Sequence, residues 1–140
     1  MTRAAIEARL AQHHLHFERR DADGLAADHV PRGTFTSPAH GTVHGRPAIR
    51  EVYRYWYTAF PDFTMTWDSP IIEGTRAALF WHFEGTAAGP FFGMVTAGSR
   101  VVMDGAGCYV FDEEGILSAN HVFDFSGVLV KAGVLKIKPT

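Results

Sequence analysis

Residues 46–67 read RPAIREVYRYWYTAF and then PDFTMTW, and within this stretch the hydrophobic period changes from that of a helix to that of a strand. Pro47 stands where its missing N–H costs nothing, at the start of a helix. Ile49, Val52, Tyr53, Trp56 and Phe60 then follow at spacings of 3, 1, 3 and 4 residues, which puts them on one helical face. Pro61 ends the helix. Beyond it Phe63, Met65 and Trp67 alternate with Thr64, Thr66 and Asp68, the period of a half-buried strand.

Working outward toward the N-terminus, residues 3–20 predict a helix with Ile6, Leu10, His13 and Phe17 on one face. Asp21 and Asp23 are candidate caps for a second, short helix in DGLAADHV, which Pro31 stops. GTFTS (33–37) reads as a short extended piece and SPAHGTVHGR (37–46) as a loop. Toward the C-terminus, Pro70 interrupts the strand and Ile71 and Ile72 resume it. After a turn at EGTR (73–76), Ala77, Leu79, Trp81 and Phe83 alternate with Ala78, Phe80, His82 and Glu84 in a second strand. GTAAGPFFGMVTAGS (85–99) is a Gly-rich loop, and RVVMDGAGCYVF (100–111) is a third strand in which Gly105 and Gly107 mark a bulge or bend. After the turn DEEG (112–115), ILSANHVFDF (116–125) is a fourth strand. Helices first and a meander afterwards give an α+β class, with a curved antiparallel sheet wrapped around N-terminal helices as a cone.

The 140 residues suit one domain spanning 1–140. Eleven Phe, four Tyr and three Trp exceed what packing such a core needs, so some of the rings are expected to line a cavity for a small apolar molecule. A net charge of −2 and a pI near 6.4 leave no basic footprint for nucleic acid and no polybasic membrane anchor. No apolar run reaches membrane-spanning length. Cys108 is alone, so no disulfide forms within the chain, and MTRAAIEARLAQHH lacks the apolar centre of a signal peptide. A soluble cytoplasmic protein is the expectation.

Asp124 interrupts the apolar run Val122, Phe123, Phe125, Val128, Leu129. A carboxylate there has two readings. Desolvation fits it for acid–base chemistry, or it caps the next turn. By alternation His121 falls on the face opposite Asp124, the outer face of the sheet, unless a bulge reverses it. His40, in the loop after the short extended piece, lies within reach of the mouth of a pocket. At least one of His13, His14 and His16 falls on the buried helix face as a core histidine. Trp56, Phe60, Trp67, Trp81, Phe83 and Tyr109 face inward by periodicity. Tyr53 and Tyr57 offer hydroxyls that would orient a carbonyl oxygen, and Phe92 in the Gly-rich loop joins them as a cavity residue. The eight histidines hold no metal-ligand spacing on a helix face with a carboxylate, so no metal site is expected. The sequence also lacks a nucleophile elbow and a phosphate loop.

The ordered motifs RRDADGLAADHV, SPAHGTVHGRPAIREVY, AFPDF, EGT with GPFFG, TAGSRV and HVFDFSGVLVKAGVLKIKP resemble the SnoaL-like polyketide cyclases and their ester-cyclase relatives over roughly residues 4–139. These belong to the nuclear transport factor 2-like group. The resemblance implies a cone fold, a pocket under the helices and a homodimer through the outer face of the sheet. It places Asp124 where the cyclases carry the general acid–base residue of an aldol ring closure. Ala87 stands where the family often has a histidine, and Val110 near where the cyclases place a pocket histidine, with His121 and His40 the nearest substitutes. The implied function is a cofactor-independent cyclase, isomerase or dehydratase acting on a small apolar carbonyl compound such as a polyketide intermediate. The alternative from another class is a non-catalytic module that binds a hydrophobic ligand or a partner protein. Epoxide hydrolysis ranks lower, because Arg76 and Arg100 only begin strands.

Overall fold

The computed structural model describes residues 1–93, 98–136 and 138, so part of the expected loop at 85–99, residues 94–97, lies outside the described residues, as do 137, 139 and 140. Thr2 caps α1 (Arg3–Glu18) through its side-chain oxygen, and Asp21 caps α2 (Ala22–Ala27) by accepting the Gly24 N–H. Helix α3 (Arg46–Ala59) carries Pro47 in its first turn, where the missing N–H costs nothing.

The strands are β1 (His29–Ser37), β2 (Gly41–His44), β3 (Thr64–Trp67), β4 (Ile71–Glu73), β5 (Arg76–Thr86), β6 (Arg100–Phe111) and β7 (Ile116–Phe123), followed by α4 (Phe125–Lys131). They form one sheet in the order β2-β1-β7-β6-β5-β3, with β4 paired to β5. The sheet is curved and open, and the class is α+β with N-terminal helices. Ile6, Leu10 and Phe17 of α1 and Ile49, Val52 and Tyr53 of α3 share a buried core with Leu79, Trp81 and Phe83 of β5.

Four local expectations need correction. Pro31 does not close off a helix. Strand β1 begins before it, at His29, and Pro31 lies in an exposed stretch where the β1–β7 register shifts. A proline is tolerated there because a bulge leaves its missing N–H without a ladder partner. The stretch 37–46 is not all loop, since Gly41–His44 pairs antiparallel with β1. Pairing of β1 with β7 is parallel, so the sheet is not purely antiparallel. Finally, β6 carries no bulge at Gly105 or Gly107. Its register with β5 is unbroken from Arg100 to Val110, and its irregularity with β7 falls at Val110/Phe111.

The two glycines serve close packing instead. A Cβ on Gly105 would run into the indole of Trp81, its cross-strand partner, and a Cβ on Gly107 would press on the His121 ring at 2.9 Å. Glycine at both positions makes room on β6 for two large side chains, Trp81 and His121, and both of them reach the site.

Candidate active site

A cavity of about 60 Å³ opens between α3 and the inner face of the sheet. Its wall draws on α1 (Phe17), β1 (Phe35, Ser37), α3 (Val52, Tyr53, Trp56), β3 (Met65), β5 (Trp81, Phe83), β6 (Met103) and β7 (His121, Phe123), with Phe63 beside them. The lining is almost wholly apolar. Its polar side chains are those of Ser37, Tyr53 and His121, with the indole N–H of Trp81 turned onto the histidine.

Three contacts fix His121. Trp81 Nε1 donates to its Nδ1 at 3.2 Å, Tyr109 Oη lies 3.3 Å from its Nε2, and Phe35 packs against the ring at 5.2 Å between centroids. Because Nδ1 accepts from the indole, the hydrogen of a neutral ring sits on Nε2, facing Tyr109. Burial drives the His121 pKa down to about 3, helped by the nearby His13 and His29, so the ring is neutral at ordinary pH. Burial pushes the Tyr109 hydroxyl in the other direction, above the usual tyrosine range. Tyr53 is also held protonated by burial, with its pKa raised well above the ordinary value. Its hydroxyl has no hydrogen-bond partner among the described residues.

This placement reverses the expected face of His121, which is buried and lines the cavity rather than the outer face of the sheet. Alternation along β7 holds, but its reference residue was misassigned. Ala119, His121 and Phe123 point inward, while Asn120 and Val122 point out. Asp124 comes after the strand has ended. It is exposed, and its Oδ1 accepts the Gly127 N–H at 2.9 Å as the N-cap of α4. Of the two readings of Asp124, the geometry is that of the cap, and its carboxylate does not line the cavity.

His40 does not line the cavity either. Its Nε2 accepts the Trp56 Nε1–H at 3.1 Å, so it holds a cavity wall from behind, and burial lowers its pKa. Among the aromatic candidates, Tyr53, Trp56, Trp81 and Phe83 line the cavity. The others lie elsewhere. Tyr57 donates to the Phe17 carbonyl at 3.1 Å and stacks on Phe63. Phe60 is core. Trp67 stacks on His14 at 4.0 Å. Phe92 packs on Tyr55, which accepts the Phe92 N–H at 2.6 Å. Tyr109 stands behind His121. Sequence reasoning left out Phe17, Phe35, Ser37, Val52, Phe63, Met65, Met103 and Phe123 as cavity residues. Helical spacing placed Phe17 and Val52 on inner faces and alternation did so for Phe63 and Met65, but periodicity gives a face and not a point of convergence. Among the described residues no arginine lines the cavity, and Arg76 and Arg100 are exposed.

Helices set against the concave side of a curved sheet, with an aromatic cavity between them, define an α+β fold of the ketosteroid isomerase and nuclear transport factor 2 type. The chain belongs to the SnoaL-like polyketide cyclase family, whose family model matches residues 8–131. No curated protein matches the chain in sequence. Among solved structures it is similar to AclR of Streptomyces galilaeus, whose proposed role is hydroxylase, at 23% identity and a TM-score of 0.82 over 99% of this chain and 91% of that one. It is similar to IdmH of Streptomyces antibioticus, proposed to be a polyketide cyclase, at 20% identity and a TM-score of 0.76 over 92% of this chain and 99% of that one. It is also similar to TerC, co-crystallised with polyporic acid, at 16% identity and a TM-score of 0.73 over 89% and 98%. At these identities the likeness establishes the fold. Among the described residues, no helix is long and apolar enough to cross a membrane.

Proposed function

We propose that the protein is a cofactor-independent acid–base enzyme of the cyclase, isomerase or dehydratase type, acting on a small apolar carbonyl compound such as a polyketide intermediate. In this reading Tyr53 and His121, and not Asp124, meet the reacting group. The observation that carries it is the pairing of an unpartnered, buried tyrosine hydroxyl with a neutral, oriented histidine in an otherwise apolar cavity.

A neutral imidazole whose Nε2 carries the hydrogen is a donor matched to a carbonyl oxygen that is becoming an enolate. His121 would exchange its long contact to Tyr109 for that oxygen. Tyr53, protonated at rest, would take the proton from the carbon beside the carbonyl as it gives its own hydroxyl proton to a buried base behind it. The apolar walls would exclude water and strengthen both interactions. A cavity of about 60 Å³ is smaller than the pockets of about 300 Å³ and upward that enclose drug-sized ligands, so a polyketide-sized substrate needs the aromatic wall to move. We further propose that two copies of the chain pair through the outer face of the sheet and that the protein works in the cytoplasm.

Exchange of the central C–H of acetylacetone in D2O, followed by proton NMR, tests the chemistry without knowledge of the natural substrate. The protein should accelerate exchange, and Tyr53→Phe and His121→Asn should each slow it by about tenfold or more. Unchanged exchange in both variants would remove these two residues from the reaction.

A second reading, a non-catalytic ligand-binding module, is favoured by the capping role of Asp124 and by the nearly apolar lining. It is separated from the first by a melting-point rise with polyporic acid, the compound held by TerC, without any acceleration of exchange.

A further inference from the structure

Behind the cavity wall lies a buried polar cluster that the cavity chemistry described so far does not use. His13, on the inner face of α1, is fully buried. Its Nδ1 and the Nδ1 of His16 both contact Oδ2 of Asp28, the residue that follows α2, at 2.8 Å. Burial alone would raise the Asp28 carboxyl, but the hydrogen bonds and charges of His13 and His16 outweigh it and hold the group below the ordinary carboxylate value. Asp28 is therefore an anion that accepts the Nδ1–H of His13. That fixes the tautomer and leaves the lone pair of a neutral His13 on Nε2.

Nε2 of His13 is buried and has no partner among the described residues. Around the ring stand Phe17, His29, Tyr53 and Tyr109, at centroid distances of 5.3, 5.9, 6.4 and 5.7 Å. His29 is kept neutral by burial, with a pKa near 4, and its Nδ1 donates to the Leu25 carbonyl, so it does not compete for the Asp28 carboxylate. Beside His13 two more buried atoms lack a partner among the described residues, Nε2 of His29 and the hydroxyl of Tyr53, and of these two residues Tyr53 lines the cavity. Buried polar atoms left unpaired are costly, and one bridging water would satisfy both His13 Nε2 and the Tyr53 hydroxyl.

We propose that Asp28, His13 and Tyr53 form a proton relay from the partly exposed carboxylate to the cavity wall, with His13 as the base behind the Tyr53 hydroxyl. The inference rests on the acid–base reading of the cavity and supplies what that reading lacks, since a buried phenol takes up a proton only if it can pass on its own. In the step, the substrate C–H bond breaks and its proton goes to the Tyr53 oxygen. The Tyr53 proton moves to His13 Nε2, directly or through one water, and the C–H electron pair becomes the enolate. A neutral substrate and a neutral His13 become an enolate and an imidazolium, and Asp28 stabilises the imidazolium. His16, partly exposed beside Asp28, connects the relay to solvent. In this scheme His13 and Asp28 are positioning residues, since they act through Tyr53.

The test combines histidine ring 15N NMR with the acetylacetone exchange assay on the full chain. The relay requires the Nδ1–H tautomer of His13, loss of that tautomer preference in Asp28→Asn, and a shift of the His13 Nε2 resonance in Tyr53→Phe. An Nε2–H tautomer, or a His13 spectrum indifferent to Tyr53→Phe in a folded protein, overturns the relay whatever the exchange assay reports. In that assay, His13→Gln and Asp28→Asn should slow exchange by about tenfold or more while polyporic acid still raises the melting point. If Tyr53→Phe slows exchange and these two variants do not, the cavity reading stands and the relay fails. If the wild-type protein does not accelerate exchange, the cavity reading itself fails, and the NMR result then judges the hydrogen-bond chain alone.

Discussion

Gly105 lies directly across the β5–β6 ladder from Trp81, and its missing side chain is the space that the Trp81 indole fills. Lying flat there, the indole reaches Nδ1 of His121 and fixes the tautomer of that ring. Gly105→Ala should therefore push Trp81 aside and break this bond. The expected cost is about 1–3 kcal/mol of stability, as for other overpacked cores. Urea unfolding reads the cost, and the indole 15N–H resonance of Trp81 reads the displacement. An alanine variant with wild-type stability and an unmoved indole resonance would show that the ring does not need this space.

Asp124 separates a structural role from a catalytic one. Its carboxylate is exposed and accepts one backbone N–H at the start of α4. Asp124→Ala should cost about 1 kcal/mol, the usual value of a lost N-cap. Asp124→Asn, which can still cap, should cost less. Neither change should alter acetylacetone exchange. A loss of exchange in Asp124→Asn with stability intact would return Asp124 to the site.

The two halves of the chain differ in how far their sequence reveals their place. Helix α3 and strands β5 and β6 were legible because apolar residues recur there with an unmixed period, as in Trp81, Phe83 and their neighbours. β2 was not, because GTVH is short and mostly exposed and carries no hydrophobic alternation. The β1–β7 pairing joins residues distant in sequence, and no local pattern specifies a parallel neighbour. In the site, alternation was counted from Asp124, which lies beyond the end of β7, and so it put His121 on the wrong face. An apolar neighbourhood in sequence made Asp124 look buried, while the strand had already ended at Phe123. The pairing of Asp28 with His13 was illegible for the same reason, since it is made by α1 packing beside the end of α2.

The proposed homodimer has a specific surface. Phe80 and Val122, 62% and 57% exposed, flank Ala106 in one cross-strand row of the outer face. Exposed apolar side chains in such a row favour burial against a second copy. Phe80→Glu together with Val122→Lys should yield a monomer by sedimentation, with the melting curve of the monomeric fold retained. A wild-type chain that sediments as a monomer at high concentration would end the proposal.

The buried histidines set how the fold responds to acid. His121 and His29 titrate near 3 and 4 in the folded chain, against 6.5 for a free histidine. Between those values the unfolded chain binds protons that the native chain does not, so stability rises with pH across this window. The full contribution is present above 6.5 and is lost as pH falls toward 4 and then 3. Each of these two rings removes up to about 1.4 kcal/mol per pH unit within its window. Asp28, whose carboxyl is held below 3.8, acts in the same direction at still lower pH, because its ionised form favours the fold and is lost as the group protonates. Urea midpoints measured at about pH 7.5, about pH 6 and about pH 5 should be level at first and then fall steeply. A His29→Gln variant that stays folded should show a shallower decline. A midpoint that holds steady between about pH 7.5 and about pH 5 would mean that both rings accept protons inside the native fold, and it would contradict their burial as neutral groups.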